Sequence, residues 1–256
     1  MISKNRAKFI ISLQNKKVRD EEQLFVIEGD KIVREFLSAK IPVRFLVAKQ
    51  EFLNTLPSYI TSLAGEIIVA GHDELRKVST LKTPHNALAV VPFKKPEPDL
   101  ALPSGELVAA LENIQDPGNL GTIIRAAAWF GIKNIFCSPD CVDIYNPKVI
   151  QASMGALLHV NHFYYDLEEL LITASEKKLP VFGALLEGMS VYDHKLDNKG
   201  IILLGNESRG ISEDLKLYIN EKIMIPAAGS PKPGIDSLNV GMAASVIFSE
   251  FARRNF

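Results

Sequence analysis

Two cysteines in 256 residues, Cys137 and Cys141, are too few for a disulfide scaffold and point to a reducing compartment. Their C-x3-C spacing could supply half of a metal site. No second ligand cluster stands nearby, so both are read as small buried hydrophobes and no metal is expected. Apolar runs long enough to span a membrane, roughly 20 residues, are also missing. The opening MISKNRAKFIISL has basic residues but no small-residue cleavage site, which argues against a secretion signal. A soluble, cytoplasmic protein with no membrane contact is expected. An excess of charge is missing too: 29 Lys and Arg against 30 Asp and Glu leave a net charge of −1. The chain is no polycation, and any nucleic-acid surface has to come from local clustering.

What is present is an ordinary globular composition, 47% hydrophobic and 23% charged. At about 150 residues per domain the length suggests two domains. The sharpest break is PFKKPEPDLALPSG (Pro92–Gly105), whose four prolines and few large apolar residues read as a stiff extended linker. The expected division is a domain over 1–93, a linker over 94–104 and a domain over 105–256.

The first part alternates strand and helix patterns: QLFVIEG, the helical KIVREFLSAK, VRFLVAK, a helical EFLNTLPSYI broken by Pro57, EIIVAG, a short helix at Asp73–Leu81, and NALAVVPF. Its opening is locally basic, with Lys4, Arg6, Lys8, Lys16, Lys17 and Arg19 all before the first acid, Asp20. That run is either a solvated helix face or a phosphate-contacting one. The second part repeats strand then helix. ELVAALEN, IKNIFCSP, PVFGALLEG, GIILLGNES and KIMIPAA are near-continuous apolar runs that suit a parallel sheet covered on both faces. Helices are expected at Leu120–Phe130, Lys148–Leu158, Leu167–Lys178, Ser212–Ile219 and Leu238–Arg253, the last capped by Ser237.

DPGNLGTIIRAAAWFG (Asp116–Gly131) has the look of a phosphate loop but not its chemistry. It lacks the Lys-Ser/Thr ending of one nucleotide fingerprint, and Gly118 and Gly121 do not fit G-x-G-x-x-G. That disfavours a dinucleotide oxidoreductase. Leu120, Ile123, Ile124 and Ala127 form one helical stripe for the sheet. At about 100° per residue, Arg125 and the lone Trp129 fall on the opposite side as neighbours. This outer face is read as a contact surface, for a second subunit or for RNA. Downstream, LLGNESRGIS puts Glu207 at the carboxyl end of a buried strand, where open α/β sheets bind ligands. IPAAGSPKPGIDSLNVGMA places Ser237 and Asn239 at a helix start, which an ordinary N-cap would also explain.

Together these stretches resemble the SpoU (TrmH-type) branch of the SPOUT RNA methyltransferases. Asn113, DPGNLG and Arg125 match the family's first motif, LGNESRGIS its second, and IPAA with SLNVGMA its third. NPKVIQASMGAL matches its connecting helix. FVIEGDKIVREFL and TPHNALAV are similar to its L30e-like substrate-binding module. The resemblance implies an α/β fold: a trefoil-knotted, mostly parallel C-terminal sheet domain behind an L30e-like RNA-binding domain. It implies methyl transfer from S-adenosyl-L-methionine to a ribose 2′-hydroxyl of structured RNA, with 23S-type ribosomal RNA favoured over transfer RNA. It also implies a homodimer through the knotted domain. Arg125, Glu207, Asn113, Ser237 and Asn239 become the implied catalytic set, with Glu207 orienting Arg125 or the substrate. Gly205, Asn206, Ile225, Leu238 and Leu185 become the donor-binding set, with Ala184–Leu186 closing the site. The segment SPKPGID is longer and richer in proline than in many members. An RNA-binding protein that keeps the fold without catalysis is the alternative from another class.

Overall fold

The computed structural model describes residues 1–94, 105–229 and 236–254. Most of the expected linker, and all of SPKPGID except Asp236, lie outside the described residues. The chain forms two compact units. One is Met1–Lys94 together with Asp143–Leu158, and the other comprises the described residues of Lys95–Val142 and His159–Phe256.

In chain order the elements of the first stretch are α1 (Lys4–Ser12), α2 (Lys16–Glu22), β1 (Leu24–Glu28), α3 (Asp30–Ser38), β2 (Val43–Ala48), α4 (Gln50–Leu53), α5 (Ser58–Thr61), β3 (Ala64–Val69), α6 (His72–Val78) and β4 (Ala87–Pro92). The strands form a mixed sheet in the order β1-β4-β2-β3. The helical stripe read in KIVREFLSAK holds: Ile32, Val33, Phe36 and Leu37 of α3 are all buried. On the other face Ile10 and Leu13 from the first helix region and Leu75 and Val78 from α6 pack on Phe45, Val47 and Val90.

The second stretch adds β5 (Leu107–Leu111), α7 (Pro117–Trp129), β6 (Asn134–Cys137), α8 (Pro147–Ser153), β7 (Asn161–Tyr164), α9 (Leu167–Glu176), β8 (Val181–Ser190), β9 (Gly200–Leu204), α10 (Glu213–Lys216), β10 (Glu221–Met224) and α11 (Val240–Arg253). Its six strands pair in parallel throughout, in the order β10-β8-β9-β5-β6-β7. Leu170, Leu171 and Ala174 of α9 and Leu215 of α10 cover one face, on Val108, Ala110, Phe136, Ile201 and Leu203. Helices α7 and α11 pack together. Gly241 lies where a Cβ would stand 3.1 Å from the Thr122 side chain, so any larger residue would press on α7.

Several sequence expectations need correction. The edge strand β7 was not foreseen; its NHFY core is too short and polar to stand out. The helix expected over Lys148–Leu158 stops at Ser153, because Met154 and Gly155 turn left-handed at φ +51° and +88°. It packs on β1, as part of the first unit. The cap of α11 is Asn239, not Ser237: its Oδ1 accepts from the amides of Gly241 at 2.9 Å and Met242 at 3.3 Å. Among the described residues no helix is long and apolar enough to cross a membrane.

Candidate active site

The strand order turns back on itself between β5 and β9, so the loops after these neighbours open side by side at the carboxyl edge of the sheet. Crevices of this kind are where open α/β sheets bind ligands. Asn113 follows β5 with φ +53°, a conformation asparagine tolerates better than most side chains. Its carbonyl accepts from Asn206 Nδ2 at 2.8 Å, tying the β5 loop to the β9 loop. Its amide donates to Ser138 Oγ at 2.8 Å. Its own Oδ1 is buried with no hydrogen-bond partner among the described residues, an uncommon state for a buried acceptor.

After β9 the chain folds tightly. Asn206 and Gly210 exchange backbone hydrogen bonds at 3.0 and 2.9 Å, and Asn206 Oδ1 accepts from the amides of Ser208 and Arg209. A Cβ on Gly205 would lie 2.2 Å from the Gly210 carbonyl carbon, so this loop closes only over glycine. The turn aims Glu207 at the start of α7. Glu207 Oε1 accepts from Asn119 Nδ2 at 2.9 Å and from the Asp116 amide at 3.2 Å. Asp116 caps the same helix by accepting from the Asn119 amide at 2.8 Å. Two carboxylates therefore sit at a helix N-terminus, where the aligned peptide dipoles favour them. Asn119 Oδ1 in turn accepts from Asn239 Nδ2 at 2.8 Å, which brings in the first turn of α11.

One hydrogen-bonded line, Glu207–Asn119–Asn239, thus joins the three stretches singled out in the sequence. Its hub, Asn119, was not among the expected site residues. The signal was present, because Asn119 stands inside DPGNLG, the stretch matched to the family's first motif. Arg125 stands elsewhere on α7. It is exposed, and its side chain makes no hydrogen bond or ion pair among the described residues, while Glu207 bonds the start of the same helix. Trp129 beside it is 83% exposed. Ser237 and Leu238 are exposed just before α11.

Strands β10, β8 and β9 are adjacent and parallel, so the loops that follow β10 and β9 open at the same edge of the sheet. Ile225 follows β10 and Gly205 follows β9. Between them β8 pairs with β10 at Phe182 and Gly183, then again only at Met189 and Ser190, so residues 184–188 leave the ladder. Leu185 anchors that excursion in the core while Leu186 stays 75% exposed.

Behind the site the two thiols are buried, as the sequence reading supposed. Cys141 Sγ accepts from the Ile114 amide at 3.2 Å and donates to the Leu111 carbonyl at 3.3 Å, bracing the Asn113 loop. The Cys137 thiol beside it, with further donors, lowers the Cys141 pKa to about 7, while the same contact and burial push Cys137 up. Among the described residues no group of three or more His, Cys, Asp or Glu is placed to hold a metal ion.

Of the basic opening residues, Lys4, Lys8, Lys16 and Lys17 are exposed. Arg6 is half-buried and paired with Glu66 at 2.8 Å. Arg19 is a correction. Its side chain is 2% exposed, bonded to Asp143 Oδ2 at 2.5 Å and to the carbonyls of Leu13 and Gln14, so it presents nothing to an outside ligand.

Residues 106–249 match the model of the SpoU rRNA methylase family, and residues 4–89 match an MRM3-like substrate-binding domain. The chain belongs to the SpoU rRNA methylase family. It is similar over 99% of its length to a TrmH-family protein from Porphyromonas gingivalis, with 36% identity, TM-score 0.85 and 99% of that chain covered. A 23S rRNA guanosine 2′-O-methyltransferase from Bacillus subtilis is 26% identical over 92% of this chain and 91% of its own. Mouse mitochondrial rRNA methyltransferase 3 is 26% identical over 94% of this chain and 70% of its own. The fold is that of the TrmH/SpoU methyltransferases, with an α/β domain ahead of the parallel sheet.

Proposed function

We propose that this SpoU-family protein methylates a ribose 2′-hydroxyl of large-subunit (23S-type) ribosomal RNA with S-adenosyl-L-methionine as donor. The observation that carries the reading is the Glu207–Asn119–Asn239 line, which couples all three family motifs at the mouth of the sheet. The relatives of known name support the substrate: the Bacillus subtilis enzyme acts on 23S rRNA, as does a uridine 2′-O-methyltransferase from Streptomyces viridochromogenes that is 25% identical over 96% of this chain. A reducing cytoplasm fits the two free thiols.

Leu185, Gly205, Asn206, Ile225 and Leu238 would hold the donor, whose sulfonium supplies an electrophilic methyl group. The chain's own residues have to position the ribose oxygen in line and make it a better nucleophile, and positioning alone contributes several kcal/mol. The Arg125 guanidinium carries N–H donors and no acceptor. It therefore acts by stabilising the charge that grows on the 2′-oxygen, not as the base. Asn119 and Asn239 fix the start of α7 and α11 so that Arg125 is held at the right height along its helix. Ser237 and Asn113 supply neutral hydrogen bonds to the ribose, its phosphate or the donor. In this reading the segment carrying the third motif threads the knot of the family. The exposed Arg125 and Trp129 face then meets a second copy in a homodimer.

Turnover on ribosomal RNA with labelled donor tests the reading, with mapping of the 2′-O-methylated nucleotide. Arg125→Ala is expected to cost about a hundredfold or more in turnover, the scale of losing one charge-stabilising donor, with donor affinity nearly unchanged. Wild-type turnover by that variant would sink the assignment.

A further inference from the structure

The first unit carries a cleft that the motif chemistry leaves unused. It measures about 610 Å³, and its lining includes Arg6, Phe9, Glu22, Arg44, Glu66 and Ile68, within the roughly 300–1,000 Å³ typical of small-molecule sites. Its walls come from α1 and from the paired strands β2 and β3, with Glu22 at the end of α2. Two of its side-chain charges are committed to each other. Arg6 Nη2 bonds Glu66 at 2.8 Å, and its guanidinium carbon lies 4.4 Å from the centre of the buried Phe45 ring. Two are not. The exposed Arg44 sits 5.7 Å from the half-buried Phe9 ring and 5.6 Å from Phe45. Among the described residues neither the Arg44 side chain nor the exposed Glu22 side chain makes a hydrogen bond or an ion pair.

This mixture is selective. Inorganic phosphate would meet two carboxylates, and a simple cation would meet two guanidiniums. A ligand that uses every wall needs an anionic end, a flat polarisable face and a row of hydrogen-bond donors. A guanine nucleotide has all three: a phosphate, a purine ring, and the N1–H and N2–H groups that a carboxylate accepts side by side. Adenine, cytosine and uracil each turn a lone pair toward a carboxylate on that edge and lose the pairing.

We propose that the Phe9–Glu22–Arg44 cleft binds a guanine nucleotide in an unpaired segment of the RNA substrate. Arg44 takes the phosphate, the Phe9 ring and the guanidinium plane take the base face, and Glu22 reads the N1–H and N2–H edge. The Arg6–Glu66 pair forms a neutralised floor. Bases on aromatic and guanidinium faces are a general means of holding single-stranded nucleic acid. The proposal rests on the RNA reading above and adds a second anchoring point, in the first unit.

Calorimetric titration of the full chain with GMP, AMP, CMP, UMP and inorganic phosphate tests it. GMP is expected to bind at least about tenfold more tightly than the other nucleotides, with phosphate alone giving no measurable heat. Glu22→Gln is expected to bring GMP and AMP within about threefold of each other. Arg44→Glu is expected to raise the KM for ribosomal RNA about tenfold and to flatten the salt dependence of RNA affinity by about one charge. Equal binding of all four nucleotides, or none, overturns the proposal, as does an Arg44→Glu protein with wild-type RNA affinity. Failure of the methyltransferase reading is separable: it would show as absent methyl transfer while GMP discrimination persists.

Discussion

At the residue scale the same charge type does opposite work within a short stretch. Lys8 and Arg19 both belong to the basic opening, yet one is exposed and the other is sealed against Asp143. Arg19→Met is expected to destabilise the fold by about 3–5 kcal/mol, because it leaves a carboxylate with 11% exposure unpaired. Urea denaturation followed by circular dichroism measures it, and an unchanged midpoint would refute the buried pair. Lys8→Glu should leave that midpoint in place and weaken RNA binding instead. Asn119 is the complementary case, a residue whose removal acts through its partners. Asn119→Ala strands both Glu207 and Asn239, so a loss of turnover comparable with that of Arg125→Ala is expected, together with a stability cost of about 1–3 kcal/mol. Asn119→Asp would set a third carboxylate beside Glu207 and should be no better.

At the element scale, the local pattern of each helix was legible and its ends were less so. The stripe Leu120, Ile123, Ile124 and Ala127 is fully buried, as its spacing required. Near-continuous apolar runs likewise announced the five main strands of the parallel sheet. Caps are harder to read, because serine, aspartate and asparagine all serve and the one used depends on where the chain enters. At α11 that was Asn239, two residues beyond Ser237, since only there does the amide oxygen meet two helix N–H groups and its nitrogen meet Asn119. Asp116→Ala removes the cap of α7 and should cost about 1 kcal/mol. Gly205→Ala is more severe. Its methyl group would press on the Gly210 backbone and force open the turn that aims Glu207, so lower thermal stability and at least tenfold lower turnover are expected. A Gly205→Ala protein with native melting and turnover would mean that the turn is not needed.

At the scale of the whole molecule, unit 2 leaves large apolar side chains in water on the packed pair α7 and α11: Trp129 at 83% and Met242 at 59% exposure. The homodimer proposed above would cover them. The proposed homodimer predicts twice the 28.3 kDa chain mass in light scattering. Trp129→Glu is expected to shift it toward the monomer and to lower turnover with it. A monomeric wild type with full activity would remove the dimer from the mechanism.

The sequence by itself determined the alternation of strand and helix, the buried face of each element and the three motif stretches. These depend on periodicity and residue type within a few turns of chain. Tertiary structure alone decided which polar groups meet. Arg19 reaches across 124 residues to Asp143, Asn119 across 88 to Glu207 and 120 from Asn239, and Asp143–Leu158 joins the first unit in spite of its place in the chain. A hydrogen bond depends on position to a fraction of an ångström, and that position is set only when the apolar faces have packed.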